Sequence, residues 1–161
     1  MKRPIPVPKE SSRTPHFWLW IYQIFLVLFG LAYLSLRLIR GRLLPGFKER
    51  LALYGRMLRQ EMRRLNHPIW IHLVSVGEVL AARPLIEELR RRLPDQHWVV
   101  TTVTPTGQSV AKALLRPGKD QLLYLPWDLI PIVRRVVRQV NPSLFVAFET
   151  ELWPALFHQL E

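Results

Sequence analysis

The chain has 161 residues, no cysteine and a formal net charge of +11; residues 1–65 hold 13 Lys/Arg against 3 Asp/Glu, and residues 66–161 hold 10 against 9. Without cysteine there is neither a disulfide framework nor a thiolate metal site, and the length suits one ordinary domain plus an appendage. The excess positive charge lies outside the part with globular composition and shows no interleaving with aromatics there, which argues against a nucleic-acid partner.

Residues 1–16, MKRPIPVPKESSRTPH, hold four prolines and mixed charge and read as a disordered leader. Residues 17–36, FWLWIYQIFLVLFGLAYLSL, carry no charge. At about 1.5 Å per residue such a helix matches a hydrocarbon core of roughly 30 Å. Phe17, Trp18, Trp20 and Tyr22 cluster at one end and Tyr33 lies near the other, as aromatics at headgroup level do. Arg37, Arg40 and Arg42 follow, where a cleaved signal peptide would carry small residues. Gln23 and Ser35 leave a buried soluble helix as the alternative to a membrane helix, spanning or deeply inserted. Residues 37–64 carry nine Lys/Arg against two Glu, which turns the C-terminal side toward the cytoplasm. The leader is basic too, so a monotopic anchor stays open.

Residues 37–65 read as a basic helix or linker. In LPGFKERLALYGRMLRQEMRRL, Leu51, Leu58, Met62 and Leu65 can share an apolar stripe. One reading is a solvated linker. The other is an interfacial helix with arginines among anionic headgroups, each worth about 1 kcal/mol. Those charges would attract an acidic lipid substrate.

Residues 66–161 alternate strand and helix patterns. PIWIHLV, HWVVTTVT, DQLLYLP and SLFVAFE are strand candidates; VLAARPLIEELRRRL, TGQSVAKALL, DLIPIVRRVVRQV and LWPALFHQL are helix candidates. This order predicts an α/β fold, a Rossmann-like parallel sheet covered on both faces. Pro84 inside the first of these helices predicts a kink or a late start, and Asp128 is expected to cap the third.

In such a sheet ligands bind at the carboxyl ends of the strands. The residues placed there are Ser75 to Glu78, Thr104 to Gly107, Pro126 to Asp128, and Glu149 to Glu151. Glu78 falls in a first helical turn, where the macrodipole favours a negative charge. It is either a helix-start acid or a base that takes a proton from an attacking hydroxyl. Gly77 would let the backbone turn sharply and a ligand come close. Glu149 and Glu151 either cap the final helix or orient an acceptor and stabilise charge. Thr106 caps a helix, or Thr104, Thr106 and Gly107 offer hydroxyls and amides to a ligand. The substrate-binding candidates are Ser75, Gly77, Thr104, Thr106, Gly107 and Glu151. His72 reads as a packed core histidine. No metal-ligand spacing and no phosphate-binding glycine loop is present.

Together, HLVSVGEVLAARPLIEELRRR, VVTTVTPTGQSVAKAL, YLPWDLIPIVRRVV and FETELWPAL resemble the N-terminal half of bacterial 3-deoxy-D-manno-octulosonic acid (Kdo) transferases, from about Arg37 to Glu161. SVGE, TPTG and ETELWP in this order and spacing carry the resemblance. It implies the N-terminal domain of an inverting GT-B glycosyltransferase with two facing Rossmann-like domains. It implies transfer of Kdo from CMP-Kdo, with no other cofactor, to a lipid A precursor in lipopolysaccharide synthesis at the cytoplasmic face of the inner membrane. By the same resemblance Glu78 is the proton acceptor and Glu149 the transition-state stabiliser. The chain departs from the family at Val103, Trp127 and Ala155, where Met, Tyr and Asn are usual. The C-terminal domain that takes CMP-Kdo is missing from these residues, so the chain is expected to be a fragment, inactive alone. The alternatives are a non-catalytic membrane module that binds lipid or a partner protein, and a different GT-B transferase on the same acceptor scaffold.

Overall fold

The structure is a computed structural model that describes residues 16–41, 44–148 and 152–161. The expected leader, residues 1–16, lies outside them except for His16. Helix α1 runs His16–Ile39, slightly longer than the apolar run, and among the described residues it is the helix long and apolar enough to cross a membrane. Two short helices follow, α2 (Phe47–Arg50) and α3 (Arg56–Arg64). Strands and helices then alternate: β1 (Ile69–His72), α4 (Val76–Arg92), β2 (Trp98–Thr102), α5 (Pro105–Ala111), β3 (Gln121–Tyr124), α6 (Ile130–Val140), β4 (Leu144–Ala147) and α7 (Pro154–Leu160).

The four strands form one parallel sheet in the order β3-β2-β1-β4. Ile69 pairs with Trp98 on one side and with Leu144 on the other. Every residue of β1 and β2 is buried, as continuous apolar strands covered on both faces must be. One core joins Trp70, Val99 and Leu123 to Met62, Val133, Val136 and Leu156. The other joins Ile71, Leu73, Trp98 and Val100 to Val79, Ala82, Ile86 and Ala111. The alternation of side chains along β1 and β2 thus splits the apolar residues between two helical layers.

Pro84 neither delays nor divides α4, which begins ahead of the expected start. Pro84 and Leu80 are both exposed residues, so the helical bond that a proline cannot make falls on the solvent side of α4. Residues 44–65 are two helices and not one, because Ala52 takes a left-handed backbone (φ +56°) between them. Both helices pack on the sheet. Ala52, Tyr54 and Met62 are buried in the core with Trp70. The buried Arg50 donates through Nη2 to Val103 O and lies with its guanidinium 4.6 Å from the Tyr124 ring centre.

At the far end of the sheet, Asp120 precedes β3 with a fully buried side chain. It takes Arg90 at 2.9 Å and Arg116 at 2.8 Å.

Asp128 does not cap α6. Leu129 holds that N-cap position without a side-chain bond. The Asp128 carboxylate accepts instead from Ala155 N at 2.9 Å and Leu156 N at 2.8 Å, and so caps α7. The α6 terminus is satisfied from α1, where Gln23 Oε1 accepts Ile130 N at 2.9 Å.

Candidate active site

The chain runs from β1 to β2 to β3 in one direction and then places β4 on the other side of β1. In such sheets ligands bind beside the carboxyl ends of the strands where the order reverses, here the ends of β1 and β4. Phe148 N donates to His72 O at 3.3 Å, so the chain leaves β4 directly beside the end of β1.

Glu78 lies on that rim. Its Oε2 accepts Val74 N at 2.6 Å, and its Oε1 accepts Ser75 N at 3.1 Å and Ser75 Oγ at 2.9 Å. Ser75 is the N-cap of α4 and Glu78 its third residue, a capping box that the S-x-x-E spacing encodes. Geometrically, then, Glu78 is a helix-start acid. Its half-buried carboxylate is also fixed in one orientation, with acceptor capacity left on Oε2.

Gly77 does not make the turn. It is the second residue of α4, and a Cβ there would meet only Ser75 Oγ, at 3.8 Å. The chain turns before it, between Leu73 and Ser75.

On the β2 side Thr104, not Thr106, caps the helix: Thr104 Oγ1 accepts Gly107 N at 3.0 Å, while the exposed Thr106 hydroxyl stands 3.4 Å from it. A Cβ on Gly107 would lie 2.8 Å from Thr104 Oγ1 and 3.5 Å from Val74 O, so only glycine lets α5 approach this closely. Val103 N and Thr104 N in turn approach Val74 O at 3.3 and 3.4 Å. Ser75, Glu78, Thr104 and Gly107 therefore form one group across the ends of β1 and β2. Glu149 and Glu151 lie outside the described residues, though both flanks are placed: Phe148 by His72, and Ala155 by Asp128.

His72 is 2% exposed, with Nδ1 3.0 Å from Thr101 Oγ1 and its ring perpendicular to Trp153 at 6.1 Å. Burial lowers its pKa to about 4, against smaller opposing effects of the Thr101 backbone and Glu78. It is a core histidine, as the sequence suggests. Burial pushes the Asp128 carboxyl up, and hydrogen bonds from Ala155, Leu156 and Tyr22 pull it back.

Three contributors to the rim were not legible as such. Arg50 reaches the end of β2 from α2, and its carbonyl accepts Trp127 N at 2.9 Å. Tyr22 Oη donates to Asp128 at 3.0 Å, and Gln23 Nε2 to Asp128 O at 2.9 Å. The one available signal was a glutamine interrupting an otherwise apolar helix. Ala155, where the family usually has Asn, is fully buried in the core, so its side chain does not face the rim. Among the described residues no cluster of three or more His, Asp or Glu could hold a metal.

A model of the family described as 3-deoxy-D-manno-octulosonic-acid transferase (kdotransferase) matches residues 45–161. The 3-deoxy-D-manno-octulosonic acid transferase of Haemophilus influenzae is 45% identical over 92 residues, covering 57% of this chain and 21% of that protein. The protein of that name from Chlamydia muridarum is 35% identical over 85 residues, covering 53% of this chain and 20% of its own length. The one from Bordetella pertussis is 30% identical over 149 residues, covering 88% and 30%. The matched part of the chain thus spans less than a third of the length of these relatives.

Proposed function

The chain belongs to the 3-deoxy-D-manno-octulosonic-acid transferase family, and we propose that it forms the acceptor-binding half of an inverting GT-B glycosyltransferase. The reaction is transfer of Kdo from CMP-Kdo to a lipid A precursor in lipopolysaccharide synthesis. An acceptor hydroxyl oxygen attacks the anomeric carbon of Kdo. The bond to the CMP phosphate oxygen breaks on the opposite face, and CMP leaves with the electron pair. The hydroxyl proton passes to Glu78. A second carboxylate stabilises positive charge developing on the sugar ring, the role we assign to Glu149, which follows β4 by two residues in sequence. Ser75 orients Glu78. Gly77, Thr104, Thr106, Gly107 and Glu151 border the acceptor. The nucleotide sugar occupies a second domain, outside these residues.

One observation carries this reading: the carboxylate of Glu78 is fixed by three hydrogen bonds at the end of β1, the strand beside which the strand order reverses. A base must be held within reach of one proton before its strength matters. The arginines of α3, with Arg56, Arg59 and Arg63 around one cavity, offer charge complementary to a phosphorylated glycolipid. With α1 the domain sits at the cytoplasmic side of the inner membrane.

The capping box alone also accounts for Glu78. That favours a second reading, a non-catalytic module that binds acidic lipid. Membranes containing the full-length protein, given CMP-Kdo and a phosphorylated lipid A precursor, decide between them. The transferase reading expects a product heavier by Kdo and none from other nucleotide sugars. Glycolipid binding without consumption of CMP-Kdo would leave only the module.

A further inference from the structure

Helix α1 meets the domain along one stripe. Leu19 and Tyr22 border a groove with Pro154 and Phe157. Leu26, Gly30 and Tyr33 border another with Trp127 and Trp153. Between them lie the bonds of Tyr22 to Asp128 and of Gln23 to Asp128 O and Ile130 N. These positions recur every three or four residues, one face of a helix. From Leu19 to Tyr33 the docked stretch is about 21 Å long, against a hydrocarbon core of roughly 30 Å.

Gln23 is only 7% exposed, and both its amide nitrogen and its oxygen are bonded to the loop before α6. In a helix crossing lipid alone, that amide would have no partner. Were the docked helix to run along the bilayer normal, it would carry the Asp128 carboxylate and the polar backbone of residues 126–130 into hydrocarbon. Trp20, Ile24 and Leu28 flank a further groove with Leu129 and Pro131, and the far side is apolar and open: Phe17, Phe25, Leu31, Leu36 and Leu38 are each between 55% and 65% exposed. A belt of that size is out of place in water. Arg37 lies in its last turn and Arg40 just beyond, suited to anionic headgroups.

We propose that α1 is an in-plane anchor: it lies along the surface of an anionic lipid bilayer, docked lengthwise on the domain through Tyr22 and Gln23, and does not cross. The carboxyl ends of β1 and β4 are thereby held beside the headgroups. The inference rests on the membrane part of the proposed function and is independent of the sugar chemistry.

The chain contains no cysteine, so single introduced cysteines report without background. Ser11→Cys, ahead of α1, and Ser109→Cys, exposed on α5, are treated with a membrane-impermeant maleimide in intact spheroplasts and in lysed membranes. An in-plane helix leaves the two on one side, so they label together or are protected together in spheroplasts. Labelling of one with protection of the other means that α1 crosses, and overturns the proposal. Recovery of the chain in the soluble fraction overturns it as well. Fluorophores on Ile21→Cys, Leu28→Cys and Leu36→Cys, in vesicles with lipids spin-labelled at shallow or deep positions, give a second reading. One common shallow depth is expected; a mid-helix residue much deeper than its flanks is the contrary result. Neither measurement uses Kdo transfer, so failure of the transferase reading leaves both tests standing.

Discussion

Asp128 caps a helix that begins far along the chain: its Oδ1 accepts Leu156 N at 2.8 Å across 28 residues of sequence. The same carboxylate takes Ala155 N and the hydroxyl of Tyr22. One buried side chain thus ties the loop after β3, the start of α7 and the apolar helix α1 together. Glu149 and Glu151 lie just ahead of α7 in sequence, so what holds α7 bears on where they can act.

Asp128→Asn keeps one acceptor oxygen and turns an amide N–H₂ toward a backbone donor. A buried donor left unpaired costs about 1–3 kcal/mol, and denaturant unfolding in mild detergent should show a loss of that size. Tyr22→Phe, which removes a single bond to the same carboxylate, should lose about 1 kcal/mol. Equal and negligible losses would mean that the cap does not hold α7.

His72 predicts a pH dependence of stability. Its pKa falls from 6.5 to about 4 on folding, so between those values the unfolded chain binds a proton that the folded chain does not. Stability is therefore full above pH 6.5 and declines as pH falls toward 4. The difference amounts to about 3 kcal/mol at most, at 1.36 kcal/mol per pH unit. Unfolding curves from pH 7.5 to 4 should show this slope, and His72→Phe should remove its share. An unchanged slope in His72→Phe would place the titration elsewhere.

The two rim glycines should behave oppositely. Gly107→Ala puts a methyl 2.8 Å from Thr104 Oγ1, so the hydroxyl must leave its capping position at a cost of about 1–2 kcal/mol. Gly77→Ala enters open space in a helix and should raise stability by up to about 1 kcal/mol. If the acceptor passes over Gly77, this more stable variant is also at least about tenfold slower, as 1.4 kcal/mol of steric cost implies. Full activity in Gly77→Ala would take Gly77 off the acceptor's path.

Legibility followed sequence distance. The β1 and β2 strands are short runs of Ile, Val and Trp buried on both faces, and such runs announce a parallel sheet. The pairing of Ser75 with Glu78 is three residues long, and a local spacing reveals it. Asp128 misled because an acid at a helix start caps that helix by default. Its real partners, Leu156 and Tyr22, are 28 and 106 residues away. Gln23 reads as a flaw in an apolar helix until its partner Ile130 is in place. Ala52 broke the helix expected over residues 44–65 with a left-handed backbone, which alanine's high helix propensity does not foretell. Thr104 took the cap expected of Thr106 because α5 begins at Pro105, two residues ahead of the start that a Thr106 cap implies, and proline suits the first helical position.

Glu78 is proposed to be a base and not only a cap, and one substitution separates the two roles. Glutamine can serve the capping box through its one oxygen, but its amide N–H₂ then faces a donor that glutamate satisfies, Val74 N or Ser75 N, so Glu78→Gln should lose about 1–3 kcal/mol and still fold. It cannot take up a proton. Kdo transfer from CMP-Kdo by the full-length enzyme, measured at single turnover beside an unfolding curve, should therefore fall by about 10² to 10⁴-fold with the fold intact. Transfer at the parental rate from Glu78→Gln would contradict the account and leave Glu78 as a cap alone.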